Sequence, residues 1–305
     1  MTIALSVKIN DGLVLATDSA STVLGITPKG ELHVFNVYNH ASKLFNLRKG
    51  LPVGAVTWGA GSIGQASIST IIKDLRERFT NGLGRGSGGW RLERESYAVE
   101  QVAVRLKEFV FDDLYTKAFS SIPAERRPGL GFIVAGYSAG APFAEEFQIE
   151  IQNGECRGPT KLRTQDQVGV TWAGDGEALN RLVLGTSTMM PAAMARLGLP
   201  AAQIGQAVTT IQQSLQAPLV LPAMPLQDAI DLAEFMVDLT IRFSRFIPGP
   251  QTVGGPIEIA AISKHEGFRW IKRKYYFNRS LNPEEAFGRT FEPAEEGAGE
   301  RGSRG

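Results

Sequence analysis

Residues 3–9 alternate Ile3, Leu5, Val7 and Ile9 with Ala4, Ser6 and Lys8, the period of two expected of a β-strand with one buried face. Asn10-Asp11-Gly12 supplies turn residues, and an unbroken apolar run follows at 13–16. Residues 2–18 therefore predict a β-hairpin whose second strand is covered on both sides. The remainder of the chain must supply what packs against it.

Further strands are predicted over 43–47 and 53–58. Helical spacing of Ile63, Ala66, Ile68, Ile71, Ile72 and Leu75 predicts a helix over 62–80, ending near Asn81-Gly82. LGRGSGGW at 83–90 is too glycine-rich for a regular element and reads as an exposed loop. A second amphipathic helix is predicted over 96–119, with Phe109, Phe111 and Leu114 beyond what one face can bury, which makes it a candidate self-association surface. Strands at 131–137, 147–151 and 168–172, helices at 177–184, 201–215 and 225–246, and strands at 257–263 and 268–272 complete the pattern. This order lacks the strict alternation of a parallel doubly wound sheet. It predicts an α+β fold, a four-layer αββα sandwich of two antiparallel sheets flanked by helices. One domain is expected over 1–279, and the Glu-, Gly- and Arg-rich tail at 280–305 is expected to be disordered.

Charge and cysteine usage remove whole classes of function. Thirty-two Lys and Arg against 31 Asp and Glu leave a formal charge of +1, so no overall field directs the chain of 305 residues to nucleic acid or an acidic membrane. Cys156 is alone, and His33, His40 and His265 are scattered, so neither a disulfide framework nor a Cys/His metal centre is expected, and no cofactor. The lone cysteine fits a reducing cytoplasm; MTIALSVKIND carries no basic leader, and no stretch reaches the ~18 apolar residues of a membrane helix, so structure is expected from residue 2.

Gly59-Ala60-Gly61-Ser62-Ile63-Gly64 matches the GxGxxG of dinucleotide-binding turns. Such a site also needs a second strand ending in an acidic residue about 20 positions later. Asp74 and Glu77 fall inside the predicted helix, and a glycine-rich loop follows where that strand should be. The plainer reading is that Gly59 and Gly61 allow close backbone approach at a strand end, with amides free at the helix N-terminus.

Thr2 is small enough for methionine aminopeptidases to remove Met1. Its α-amine, of a kind that ionises at about pH 7.7–8.0, could then act as general base for its own hydroxyl. The surrounding sequence, TIALSVKINDGLVLATDSAST at 2–22, SKLFNL at 42–47 and TWGAG at 57–61, resembles the N-terminal block of proteasome β-type subunits, members of the N-terminal nucleophile hydrolases. The resemblance is strongest over 2–64 and recurs at WAGDGEALNRL, 172–182, and TVGGPIEIAAIS, 252–263. It implies that Thr2 is nucleophile and base, Asp18 the acidic orienter, Lys43 the cation that lowers the nucleophile's pKa, and Gly59 an oxyanion-hole amide. Ser21, Phe45, Thr57 and Gly61 would line the substrate pocket and Thr22 would bind substrate backbone. Independently of any family, the turn at residues 10–12 folds Thr2 and Asp18 to one end of the sheet, and a buried Lys43 needs a carboxylate partner.

Two departures from the family pattern concern support of the terminal amine. Gly174-Asp175-Gly176 stands where the family has Gly-Ser-Gly, so Asp175 could take up the ammonium proton or simply cap the following helix. The family's Asp and nearby Ser fall near Pro250 and Val253, leaving Thr252 adjacent. The resemblance implies a threonine-type endopeptidase acting on peptides or unfolded proteins, assembled as a homo-oligomeric ring, with an ATPase partner undetermined. A small-molecule amidohydrolase on the same fold, a non-catalytic structural subunit and a nucleotide-binding protein built on GAGSIG are the rivals.

Overall fold

The computed structural model describes residues 2–26, 32–82 and 89–274, and the compact unit spans residues 1–273. The boundary expected at 279 and the tail at 280–305 lie outside the described residues, as do positions 83–88 of the glycine-rich loop. In chain order the elements are β1 (Ile3–Ile9), β2 (Gly12–Thr17), β3 (Ser21–Ile26), β4 (Leu32–Tyr38), β5 (Leu44–Asn46), β6 (Val53–Gly59), β7 (Ser62–Ile63), β8 (Ala66–Ser67), α1 (Ile68–Asn81) and α2 (Val99–Lys107). A π-helical stretch (Glu108–Tyr115), α3 (Thr116–Ala118), β9 (Leu130–Gly136), β10 (Glu145–Gln152), β11 (Glu155–Lys161) and β12 (Gly169–Gly174) follow. The chain continues through α4 (Glu177–Val183), α5 (Met190–Arg196), α6 (Ala201–Leu215), α7 (Leu226–Phe246), β13 (Glu258–Ser263) and β14 (Gly267–Lys272).

This is a mixed α/β chain with antiparallel sheets. One five-stranded sheet has the order β12-β1-β2-β13-β14 and the other β11-β10-β9-β6-β5, while β3 pairs only with β4 and β7 only with β8. Alternate residues of each central strand serve different clusters. Ile3, Leu5, Val7 and Ile9 of β1 pack with Leu179 and Val183 of α4 and with Ala233, Met236 and Val237 of α7. Ala4, Leu15 of β2 and Ala260 of β13 instead join Val56 of β6 and Ile133 of β9 between the two sheets. On the far side of the second sheet, Ala55, Phe132 and Val134 pack with Ile71, Ile72 and Leu75 of α1 and Val102 and Leu106 of α2.

β1 departs from the half-buried strand its alternation predicts, because every one of its residues is buried. It lies between β12 and β2, α4 and α7 cover its apolar face, and its polar positions meet the second sheet and the segment after β11. Ser6 donates to the Glu146 carboxylate at 2.6 Å, and Arg163 pairs with the same carboxylate at 2.8 Å. Lys8 donates to the carbonyls of Thr164 and Gln165, each at 3.0 Å, and burial pushes its pKa down.

Other boundaries shift for local reasons. α1 begins at Ile68, later than its apolar spacing suggests, because β7 and β8 form a small hairpin about Gly64, and Ser67 then caps the helix by accepting from the Thr70 amide at 3.2 Å. With the strands antiparallel, the GxGxxG segment lacks the parallel crossover that a dinucleotide site requires. α2 begins at Val99, whose amide donates to the Ser138 hydroxyl. Phe109, expected on an exposed surface, is buried in the core; the π-helical turn widens the helix so that Phe109, Val110 and Tyr115 all reach inward. Phe111 and Leu114 pack, half-buried, against the same cluster.

After α4 the chain is pinned through Glu177. Burial alone would raise its carboxyl, but hydrogen bonds from the hydroxyls of Thr188 and Ser187, the Thr188 amide and the Arg181 guanidinium hold it down at about 2. A depressed folded-state pKa stabilises the fold above the ordinary carboxylate range of about 4.3 and loses that contribution as pH falls toward the folded value. Glu177→Gln should therefore lower Tm at pH 7, and the gap between variant and wild type should close as pH drops below about 4.5. A gap constant from pH 7 to pH 3 would show that the carboxylate charge contributes nothing.

Candidate active site

The register of the first hairpin pairs Ala4 with Thr17 and Ile9 with Gly12, which carries Thr2 and Asp18 to the same end of the sheet. Lys43 arrives at that end from the start of β5, with its carbonyl accepting from the Thr57 amide of β6 at 3.0 Å. Thr2, Asp18 and Lys43 are 4%, 0% and 6% exposed. The Lys43 ammonium donates to Thr2 Oγ1 at 2.8 Å and to Asp18 Oδ1 at 2.7 Å.

Asp18 is held from three further directions. Its Oδ1 also accepts from the Ile3 amide at 3.1 Å, and its Oδ2 accepts from the amides of Ala20 and Gly254, each at 3.0 Å. A carboxylate so satisfied can be buried, and it fixes the ammonium at a defined point. That point lies within hydrogen-bonding distance of the threonine hydroxyl, so the arrangement can stabilise negative charge developing on Oγ1.

The Thr2 carbonyl is fixed as well, since it accepts from the Asp175 amide at 2.7 Å. Position 174 must be glycine: its φ is +92°, and a Cβ there would sit 1.9 Å from the Thr2 carbonyl oxygen. Asp175 thus reaches Thr2 through its backbone. As for the helix that follows it, the N-cap of α4 is Gly176, with no side-chain capping hydrogen bond.

Thr2 and Lys43 open onto a cavity of about 440 Å³ that Ser21, Thr22, Thr57, Gly59, Gly61 and Thr252 also line. The Thr57 hydroxyl is engaged, donating to the Gly131 carbonyl at 2.9 Å. Gly59 has φ +89°, and a Cβ on it would lie 2.3 Å from the Gly129 carbonyl oxygen, which already accepts from the Ala60 amide at 2.8 Å. Of the residues expected at the site, Phe45 is not brought to the cavity. Its ring packs in the core with residues of α1 and α2, while Lys43, which precedes β5, lines the cavity beside Thr2.

The sequence reading does not identify the Ala20 and Gly254 amides or the cavity walls Val34, Trp58 and Gly129. Backbone donors leave no side-chain signature, although the segment at 252–263 carrying Gly254 is singled out by its resemblance. Among the described residues, no group of three His, Cys, Asp or Glu could hold a metal ion, and no helix is long and apolar enough to cross a membrane.

Removing one member of a buried pair leaves the other uncompensated, at about 3–5 kcal/mol. Lys43→Met should destabilise the fold by that order in denaturant melts, and adding Asp18→Asn should recover part of the loss, giving a non-additive double-mutant cycle. Additive effects would mean that the pair is not coupled.

No protein-family model matches the chain, and no curated protein does. Among solved structures, the chain is similar to the Gly-1 mutant of Anbu from Hyphomicrobium sp. strain MC1, at 16% identity and a TM-score of 0.48, over 90% of this chain and 86% of that one.

Proposed function

We propose that the chain is a threonine-type amide hydrolase of proteasome β type, an endopeptidase whose nucleophile is Thr2 after removal of Met1. The observation that carries this reading is the Lys43 ammonium at 2.8 Å from Thr2 Oγ1, anchored by Asp18 and open to a cavity of about 440 Å³. A lysine that merely balanced a buried carboxylate would have no need to end on a hydroxyl at a cavity wall. Core clusters on both faces of each sheet support the finer architecture, a four-layer αββα sandwich. Peptide or unfolded-protein substrates, a cytoplasmic setting and a homo-oligomeric ring accompany this reading.

The chemistry proceeds in two halves. The free Thr2 amine takes the hydroxyl proton as Oγ1 attacks the carbonyl carbon of the scissile amide, while Lys43 stabilises the forming alkoxide. The Gly59 amide is the proposed donor to the oxyanion. Collapse breaks the carbon–nitrogen bond, the departing amine takes the proton, and an ester to Oγ1 remains. Water then attacks the ester, with the Thr2 amine as base, and releases the acid. Asp175 holds the Thr2 backbone through its amide, and Thr252, 6% exposed and lining the same cavity as Thr2, is the proposed support of the amine.

Intact-mass measurement should find the active protein without Met1. Thr2→Ala should lose on the order of 10⁴-fold in kcat, while Thr2→Ser keeps part of the activity because amine and hydroxyl both survive. A residue inserted between Met1 and Thr2 should leave a folded but inactive protein, since an amide nitrogen cannot accept the proton. The rate should rise with pH along a limb set by the amine, below the ordinary range of about 7.7–8.0 because the nearby ammonium disfavours a second positive charge. Full peptidase activity in protein that retains Met1 would refute the mechanism.

A further inference from the structure

The cavity beside Thr2 is uneven in its chemistry. Among the described residues its only charged lining group is Lys43, whose ammonium already meets Asp18 at 2.7 Å and Thr2 at 2.8 Å, and none of those lining it is a carboxylate. A substrate cation entering there would face Lys43 with no counter-charge. A substrate carboxylate would compete with Asp18 for the Lys43 ammonium. Either would be desolvated without a counter-charge of its own among the described lining residues. Beside the neutral hydroxyl residues Ser21, Thr22, Thr57 and Thr252, the wall offers apolar surface from Val34, Trp58, Ile68 and Pro128.

Val34 differs from the other walls in origin. It lies on β4, in a hairpin whose strands pair only with each other, whereas Trp58 and Ile68 are held by β6 and the buried start of α1. It therefore bounds the cavity from a separate piece of structure, and none of the described hydrogen bonds that hold Asp18 and Lys43 involves it.

Resting on the threonine-hydrolase reading, we propose that this cavity receives an uncharged apolar side chain from the residue whose carbonyl is attacked, and that Val34 sets how large that side chain can be. The test uses the full chain and fluorogenic peptide amides that differ only at that residue. With Leu or Phe there, kcat/KM should exceed the values for Arg and Glu by on the order of 100-fold. Val34→Phe should lower the Leu-to-Ala ratio of kcat/KM about tenfold, and Val34→Ala should raise the Phe-to-Leu ratio. In parallel, calorimetry should measure binding of the corresponding uncleaved peptide amides to Thr2→Ala protein, which reads the cavity without hydrolysis. Cleavage of Arg or Glu substrates within about threefold of Leu would overturn the specificity while leaving the hydrolase reading intact. Preferential binding of the Leu peptide in a protein that cleaves nothing would uphold the cavity assignment and reject the hydrolase reading. Equal binding of all the peptides, or of none, would overturn the proposal.

Discussion

Withdrawing the Lys43 ammonium and the Asp18 carboxylate from water together costs several kcal/mol per ion, and their attraction offsets this only when the remaining donors and acceptors are also matched. Here they are matched by chain segments far apart in sequence. Asp18 accepts from Ile3 at the start of β1, Ala20 just beyond β2 and Gly254 ahead of β13, while Lys43 approaches from β5. The two sheets must therefore be assembled before this carboxylate is satisfied. Because a buried ion pair is weak evidence of stabilisation in its own right, its presence at the mouth of a cavity is better explained by what the ammonium does to Thr2 Oγ1 at 2.8 Å.

Close backbone approach completes the site. Gly174 brings β12 against the Thr2 carbonyl, and Gly59 brings the end of β6 against Gly129, each with a positive φ and with no room for a Cβ. These contacts fix Thr2 and the Gly59 wall of the cavity by main chain, which varies less in position than side chains would. Burial of Ser6 and Lys8 beside Glu146 follows the same logic along β1: a strand sealed on both faces can carry polar residues only where the second sheet or its loops answer them.

Much of this was readable from residue types. Alternation to Ile9, the Asn10-Asp11-Gly12 turn and the apolar second strand placed Thr2 and Asp18 together, and a lysine flanked by Leu44 and Phe45 called for a carboxylate. What could not be read has physical causes. The β3–β4 hairpin exposes much of its surface, with Phe35 at 73% exposure, so it shows no buried periodicity. β11, an edge strand carrying Gly158 and Pro159, is mostly exposed and gives no strand pattern. Helical periodicity puts Phe109 on an outer face, whereas the π-helical turn breaks the period of 3.6 on which helix faces are reckoned and turns it inward. Gly254 acts through its amide and Val34 through where the hairpin places it, and neither role depends on a side chain that announces chemistry.

The central claim is that Thr2 Oγ1 is the nucleophile, and covalent capture addresses it directly. The protein would be incubated with a mechanism-based inhibitor that reacts with both the amine and the hydroxyl of an N-terminal threonine, then digested and analysed by mass spectrometry. The account predicts one adduct per chain, located on a peptide beginning at Thr2, and none in the Thr2→Ala variant. An adduct on any other residue, or no adduct in protein shown to lack Met1, would contradict it.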